Sequence, residues 1–182
     1  MGVRSIGSKH RLRGAVILAL LVAVVVITGT MLVPSAGARA GLAASTPRCP
    51  ASSLSFVFVL ETGASGKRFD TLALRNRGRT CHLWGYPGVA MLNSRGGLLR
   101  LNVNRRSRSE EPSRQVVLAP GHRAYFLLIF EDGGFCPGHS ASAYGLQTYP
   151  PGSTRSLRLH RPRFEVCTSQ IPAVGPVRAT AP

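Results

Sequence analysis

Short segments of alternating apolar and polar residues fill the chain after residue 48, and clusters of Gly, Pro and Asn separate them. In Leu54 to Leu60, large apolar side chains occupy every second position, as they do in a half-buried β-strand. Similar segments predict strands at 69–76, 89–92, 98–103, 115–118, 123–130, 141–149, around 157–159 and at 164–167. No segment after residue 45 keeps helical spacing over eleven residues. The pattern therefore predicts an all-β fold, an immunoglobulin-like antiparallel sandwich of seven to nine strands.

Turn-forming residues support this division. The sequence Asn93-Ser-Arg-Gly-Gly97 predicts a hairpin connection, and Pro120-Gly121 suits the two central positions of a type II turn. Cys81 is expected in a connection between strands. Trp84, the only tryptophan, is expected to cover its disulfide or to fill the adjoining edge of the core.

The first forty residues have a different pattern. Four basic residues precede the uncharged segment 15–33, and small residues including Ala36 and Ala38 follow it. This order is typical of a signal peptide cleaved after Ala38, and the segment is also nearly long enough for an uncleaved membrane anchor. Either alternative places the remainder outside the cytoplasm. The predicted organisation is a signal peptide or anchor helix at 1–40, a linker at 41–48, the β-sandwich domain at 49–170 and a loose tail at 171–182.

All four cysteines follow this segment, and an even number of cysteines in an exported domain predicts two disulfides. A zinc site is disfavoured because no two cysteines are close enough to provide two ligands from one turn. We favour the pairs Cys49–Cys81 and Cys136–Cys167, because each closes a loop of about 31 residues between sequential elements. Two other pairings remain open.

Two short motifs carry a family resemblance. The segments "LALRNRGRTCHLWGYPGVAML" and "VVLAPGHRAYFLL", with a late "EVC", resemble the actinobacterial exported domain of unknown function 4232 family. The matching residues are Asn76, Gly78, Cys81, Leu83, Gly85, Tyr86, Pro87, Gly88, Val89, Leu118, Pro120 and Gly121. The resemblance implies an extracytoplasmic β-sandwich and implies no activity.

Charge adds a candidate ligand class. The chain has a net charge of +16, and because five of its 23 basic residues and none of its 7 acidic residues lie in the first forty, the remainder keeps +11. Guanidinium groups bind phosphate and carboxylate, so two arginine-rich stretches predict binding of an anionic envelope polymer or a lipid headgroup. The first holds Arg105, Arg106, Arg108 and nearby Arg114, and the second holds Arg155, Arg158, Arg161 and Arg163. A solvated loop enriched in arginine by GC-rich codons is the alternative. Nucleic acid is not expected, because no aromatic residues are interleaved with the arginines.

Catalytic spacings are missing from the sequence. It contains no nucleophile elbow, no zinc-protease helix motif and no phosphate-binding loop, so neither an enzyme nor a cofactor is predicted. Glu110-Glu111 and Glu131-Asp132 are neighbours in polar segments rather than a separated catalytic pair. The expected function is a non-catalytic, exported cell-envelope protein, associated with the membrane through residues 15–33 if these remain uncleaved. A secreted hydrolase, or a metal carrier using His82, His122 and His139, is the alternative.

Overall fold

The computed structural model describes residues 45–101, 104–105 and 111–182. The predicted signal peptide or anchor at 1–40, the beginning of the linker, and Arg106 and Arg108 lie outside the described residues. Arg105 is described by its backbone only. No helix within the described residues is long and apolar enough to cross a membrane.

The described residues form ten strand segments, of which two contain only two residues. They are β1 (Leu54–Ala64), β2 (Lys67–Asn76), β3 (Cys81–Trp84), β4 (Gly88–Leu92), β5 (Asn104–Arg105), β6 (Gln115–Leu118), β7 (Arg123–Glu131), β8 (Ser140–Tyr149), β9 (Leu157–Cys167) and β10 (Ala173–Val174). Two single 3-10 turns, Ala51–Ser53 and Gly133–Phe135, complete the regular structure.

The strands form three sheets. The largest has the order β1-β2-β7-β10-β5, the second pairs β3 with β6, and the third has the order β4-β8-β9. Pairing is antiparallel throughout, except between the two-residue strands β5 and β10, which are parallel. The prediction of an all-β fold with antiparallel sheets is therefore confirmed.

Alternating side chains from all three sheets form one hydrophobic core. On β7 the residues Ala124, Phe126, Leu128 and Phe130 are buried while their neighbours are half-buried, which gives the strand its period of two. The Phe126 ring stacks on Phe56 of β1 with 6.1 Å between centroids. The apolar residues that alternate in the sequence of β7 thus form its inward face.

Both predicted disulfides are confirmed. Cys49 is bonded to Cys81 with 4.9 Å between Cα atoms, and Cys136 to Cys167 with 5.2 Å. Cys81, however, is the first residue of β3 and not part of a connection. The first disulfide therefore joins the chain before β1 to the small β3–β6 sheet.

Trp84 differs from its prediction. The residue does not complete the core, because it is 46 % exposed. Cys81 and Leu83 point inward from β3, so the period of two turns Trp84 outward. The only tryptophan of the chain is therefore a surface residue.

The C-terminal segment differs from the loose tail expected at 171–182. Val174 and Val177 are each 1 % exposed, and β10 pairs with β7. Beyond β10, the backbones of Arg178 and Tyr125 exchange two hydrogen bonds of 2.7 and 2.8 Å. Buried valines and backbone pairing hold this segment to the sheet, although its prolines suggested otherwise.

Two local predictions have different outcomes. Gly121 has φ 83°, and the His122 amide donates to the Ala119 carbonyl oxygen at 3.1 Å, so the type II turn is confirmed. The strand expected at 98–103 does not form within the described residues, where only an isolated antiparallel bridge joins Leu98 to Leu92. The Asn93 side chain instead closes the turn by accepting the backbone amides of residues 95 and 97.

Candidate functional site

Asn76, at the end of β2, joins the two sequence motifs. Its fully buried amide donates to the carbonyl oxygens of Arg79 at 2.9 Å and Leu118 at 3.0 Å, and accepts the Gly78 amide at 2.8 Å. The backbone carbonyl oxygen of Asn76 accepts a hydrogen bond from the Gly121 amide at 2.8 Å. A buried side-chain amide with these partners is satisfied, so this part of the motif has a structural role.

The turn between β3 and β4 holds two segments of a cleft in place. The Tyr86 hydroxyl donates to the backbone carbonyl oxygen of Glu111 at 2.6 Å. The Gly85 carbonyl oxygen accepts the Val177 amide at 3.0 Å, and Gly85 has φ 108°, a conformation that favours glycine. The motif residues therefore position Glu111 and Val177, which both line the cleft.

This cleft has a volume of about 490 Å³ and lies between the start of β6 and the C-terminal segment. Its size falls within the range of small-molecule sites. The lining residues are Glu111, Pro112, Arg114, Gln115, Val116, Val177, Arg178 and Ala179. Two guanidinium groups and one carboxylate thus share a cleft that also has an apolar wall.

The two arginines of the cleft have different partners. Arg178 Nε donates to Glu111 Oε1 at 2.7 Å, and its Nη2 contacts the same oxygen. Arg114 is exposed and forms no ion pair with an acidic side chain of the described residues. The cleft therefore offers one guanidinium for an external anion beside one held by an internal carboxylate.

In the second arginine-rich stretch, Arg161 and Arg163 pair with acidic side chains of the protein itself. Of the four arginines in the first stretch, one lines the cleft. Arg114 lies in its wall, whereas the backbone of Arg105 pairs with Val174 in the β5–β10 ladder. Arg106 and Arg108 lie outside the described residues. The structure thus assigns a place to Arg114 and leaves the joint action of the four as a prediction.

Arg178 was missed because the C-terminal segment was predicted to be loose. A signal was present in the sequence Val174-Gly-Pro-Val177, whose two apolar residues occur in an otherwise small and prolyl stretch. Both valines are buried, and this fixes the backbone from which Arg178 reaches Glu111.

A second cluster of charges lies between β1, β2 and β9. Arg161 of β9 is 10 % exposed, contacts Asp70 of β2, and donates to Glu61 of β1 at 2.6 Å. Its guanidinium lies between the rings of Phe58 and Phe164, at 4.1 and 4.8 Å from their centroids. Because β9 and the β1–β2 pair belong to different sheets, Arg161 links two sheets through charge and aromatic contacts.

The same cluster extends outward through Arg68. This side chain donates to Glu61 at 2.8 Å and also contacts Asp132. Asp132 accepts the Gly134 amide at 2.9 Å and caps the 3-10 turn that follows, and these contacts lower its pKa. The cluster is internally paired, which favours a structural role over ligand binding.

Asp70 is the most strongly perturbed acid of this cluster. Burial raises its pKa to about 7, opposed by the charge of Arg161 and reinforced by that of Glu61 directly across the β1–β2 ladder. Its side chain is fully buried, and its Oδ1 has no hydrogen-bond partner in the described residues.

This perturbation predicts a pH-dependent stability. Because the pKa of Asp70 in the folded protein lies above the value of 3.8 for an unperturbed carboxyl, the folded state binds the proton more tightly than the unfolded chain. The stabilisation is complete below about pH 4 and is lost as the pH rises through about 7. The unfolding free energy of the wild type, relative to that of Asp70→Asn, should therefore decrease between pH 4 and pH 7. Chemical denaturation of both proteins across this pH range measures the difference between their unfolding free energies. An advantage of the wild type that increases with pH would contradict the prediction.

Two of the three histidines considered for a metal site, His82 and His139, form hydrogen bonds with the protein itself. His82 Nδ1 lies 2.7 Å from the Thr46 carbonyl oxygen, and the carbonyl oxygen of His139 accepts the Thr168 hydroxyl at 2.7 Å. Within the part of the chain that the structure describes, no three His, Cys, Asp or Glu side chains group as metal ligands would.

Fold and site together define a disulfide-linked, all-β domain with an arginine-bearing cleft beside its C-terminal segment. The model of a domain of unknown function, DUF4232, matches residues 49–179, and the chain belongs to this family. No curated protein and no solved structure matches the chain. The match includes the C-terminal strand and both disulfides, so the family domain extends nine residues past the predicted boundary at 170.

Proposed function

We propose that this chain is an exported, non-catalytic cell-envelope protein of an actinobacterium, and that its domain is an immunoglobulin-like sandwich. Its cleft holds an anionic group of an envelope component. Arg114 is the principal contact, because this exposed residue lines the cleft without an acidic partner in the described residues. That single observation carries the proposal.

The charges of the cleft favour an anion over a cation. The cleft lining has two positive charges, on Arg114 and Arg178, and one negative charge, on Glu111. The Glu111 carboxylate already accepts hydrogen bonds from Arg178. The planar guanidinium of Arg114 can form two parallel hydrogen bonds to a carboxylate or phosphate. The net charge of +11 outside the first forty residues would also attract a polyanion at long range.

Two observations support export. Two disulfides are consistent with an extracytoplasmic location, since such bonds persist in oxidising compartments. The basic and apolar sequence of the first forty residues is typical of a signal peptide or an anchor. We keep both alternatives for that segment, and the domain is outside the cytoplasm in either case.

No second function is proposed. The described lining of the cleft contains no histidine, cysteine or serine, and its one carboxylate, that of Glu111, accepts hydrogen bonds from Arg178. The hydrolase and metal-carrier alternatives therefore receive no specific support from this site.

Replacing Arg114 with glutamine should weaken binding of an anionic probe about tenfold, which corresponds to about 1.4 kcal/mol. The full chain is titrated by calorimetry with sodium polygalacturonate and, separately, with phosphatidylglycerol vesicles, so that polymer and lipid anions are compared. Wild-type affinity should fall steeply with added salt, because the Debye length shortens from about 10 Å at 0.1 M to about 3 Å at 1 M.

The matched control is Arg95→Gln. Arg95 is also exposed, but it lies in the turn after β4 and does not line the cleft. This control should keep wild-type affinity. Equal loss in both variants would mean that only the overall charge matters, and an unchanged affinity in Arg114→Gln would remove the assigned role of the cleft.

A further inference from the structure

Trp84 lies on the outward face of the β3–β6 sheet. It is the only tryptophan of the chain and is 46 % exposed. None of the described aromatic stacking or cation–π contacts involves its ring. A large aromatic surface that contributes so little to the core is available for a partner.

The strand register shows which side chains share this face. Trp84 is opposite Gln115, and His82 is opposite Val117, in an antiparallel pair whose directly opposed residues point to the same side. Val117 is 54 % exposed and Gln115 is also exposed. The face therefore consists of an indole ring with an amide on one side and an imidazole and an isopropyl group nearby.

This face continues into the cleft through Gln115. Gln115 and the preceding Arg114 both line the cleft, while the Cα partner of Gln115 across the sheet is Trp84. Gln115 thus shares the face of Trp84 and also lines the cleft beside Arg114, so the aromatic residue and the arginine lie on either side of Gln115 at the mouth of the cleft. The turn after Trp84 is fixed to the cleft wall by the hydrogen bond from Val177 to Gly85.

The three groups suit the three parts of an acidic sugar. The electron-rich face of the indole attracts the positively polarised C–H groups on the flat side of a sugar ring. The Gln115 amide can donate to and accept from hydroxyl groups. The Arg114 guanidinium can pair with the carboxylate or phosphate substituent.

An acyl chain suits this surface less well. Beside Trp84 the face has the polar side chains of Gln115 and His82, and Val117 is its only exposed aliphatic residue. The valines that line the cleft are almost completely buried, at 6 % for Val116 and 1 % for Val177. A lipid tail would therefore bury little apolar surface here.

We propose that Trp84 is the sugar-stacking platform of the arginine cleft and that the ligand is an acidic polysaccharide. This inference rests on the proposed function and narrows the ligand class from any anionic envelope component to an acidic polysaccharide. Trp84 supplies the stacking surface, Gln115 orients the ring, and Arg114 holds the charge.

The only tryptophan provides its own readout, because indole emission from the full chain reports on Trp84 alone. Sodium polygalacturonate should change the intensity or wavelength of this emission in a saturable manner. Dextran, a neutral polysaccharide, and phosphatidylglycerol vesicles should leave it unchanged. Arg114→Gln should require about tenfold more polygalacturonate for the same change, and Arg95→Gln should behave as the wild type.

Affinity variants test the same contact without fluorescence. Trp84→Leu should weaken polygalacturonate binding, measured by calorimetry, roughly five- to tenfold, and Trp84→Phe should retain most of the affinity because it keeps a ring. Thermal denaturation of both variants shows whether the domain remains folded. If the Trp84→Leu variant is unfolded, the affinity of Trp84→Phe and the emission of the wild type test the stacking contact instead.

Several results would overturn the inference. Binding that depends on Arg114 but leaves Trp84 emission and the Trp84 variants unaffected would refute stacking and retain the anion-binding function. An emission change with vesicles and not with polygalacturonate would identify a lipid, and a change with protein concentration alone would identify a second copy of the chain. If none of the anionic probes binds, the proposed function and this inference both fail.

Discussion

Replacing Arg161 with methionine should lower the free energy of unfolding by about 3–5 kcal/mol at pH 8, the range found when one partner of a buried ion pair is removed. Asp70 is fully buried and Arg161 is 10 % exposed, so the substitution leaves a buried carboxylate without its main cation. The guanidinium also fills the space between Phe58 and Phe164, which methionine fills only in part. Chemical denaturation measures the loss.

The effect of this substitution should depend on pH and on Asp70. At pH 5 the loss should be smaller, because the raised pKa of Asp70, about 7, leaves that carboxyl mostly protonated there. The double variant Asp70→Asn, Arg161→Met should recover part of the loss at pH 8, since no buried charge then lacks a partner. A double variant less stable than Arg161→Met would contradict the account.

Arg163→Met is the matched control on the same strand. Arg163 pairs with Glu165 at 2.7 Å, but its side chain is 63 % exposed. Exposed ion pairs contribute little to stability because water and salt screen them, so this substitution should cost much less than Arg161→Met. A loss from Arg163→Met equal to that from Arg161→Met would show that burial between the sheets has no special effect.

Replacing Cys49 and Cys81 together with alanine should lower the free energy of unfolding by about 3–4 kcal/mol. The disulfide closes a loop with a sequence separation of 32, and in the chain-entropy model a loop of this size restricts the unfolded chain by about that amount. Denaturation of the double-alanine variant beside the wild type measures the difference.

The second disulfide is the natural comparison. Cys136–Cys167 has a sequence separation of 31, so the same model predicts a nearly equal loss for its double-alanine variant. Cys49 and Cys81 are both buried, whereas Cys136 is partly exposed. Equal losses of unfolding free energy in the two variants would show that the disulfides stabilise the protein mainly by restricting the unfolded chain. Losses below about 1 kcal/mol for both pairs would contradict that explanation.

The strands were predictable because most have one buried face. Period-two alternation identified β7 to within one residue at 123–130, and Pro120-Gly121 identified the turn before it. At Leu54–Leu60 it identified β1 without its last four residues, which were expected in a loop. The strand β9 was predicted as two pieces because arginines and Pro162 interrupt its apolar pattern. Its continuity depends on pairing with β8, a contact that local sequence does not encode.

The site was less predictable than the fold. Arginine enrichment indicated Arg114, but its neighbour in the cleft, Arg178, is 64 residues away and is positioned by a β10 strand of only two residues. Trp84 was predicted to cover the disulfide or to fill the adjoining edge of the core, whereas the alternation of Cys81 and Leu83 turns it outward. The first difference comes from long-range packing, which local sequence does not encode, and the second follows from the local alternation of β3.

The most direct test of the central claim is to observe the Arg114 guanidinium during binding. The chain is labelled with ¹⁵N-arginine, the Nε–Hε signals are assigned with the Arg114→Gln and Arg95→Gln variants, and sodium polygalacturonate is added. The Arg114 signal should shift in a saturable manner, added salt should reverse the shift, and the Arg95 signal should stay in place. Saturable binding with an unchanged Arg114 signal would contradict the central claim.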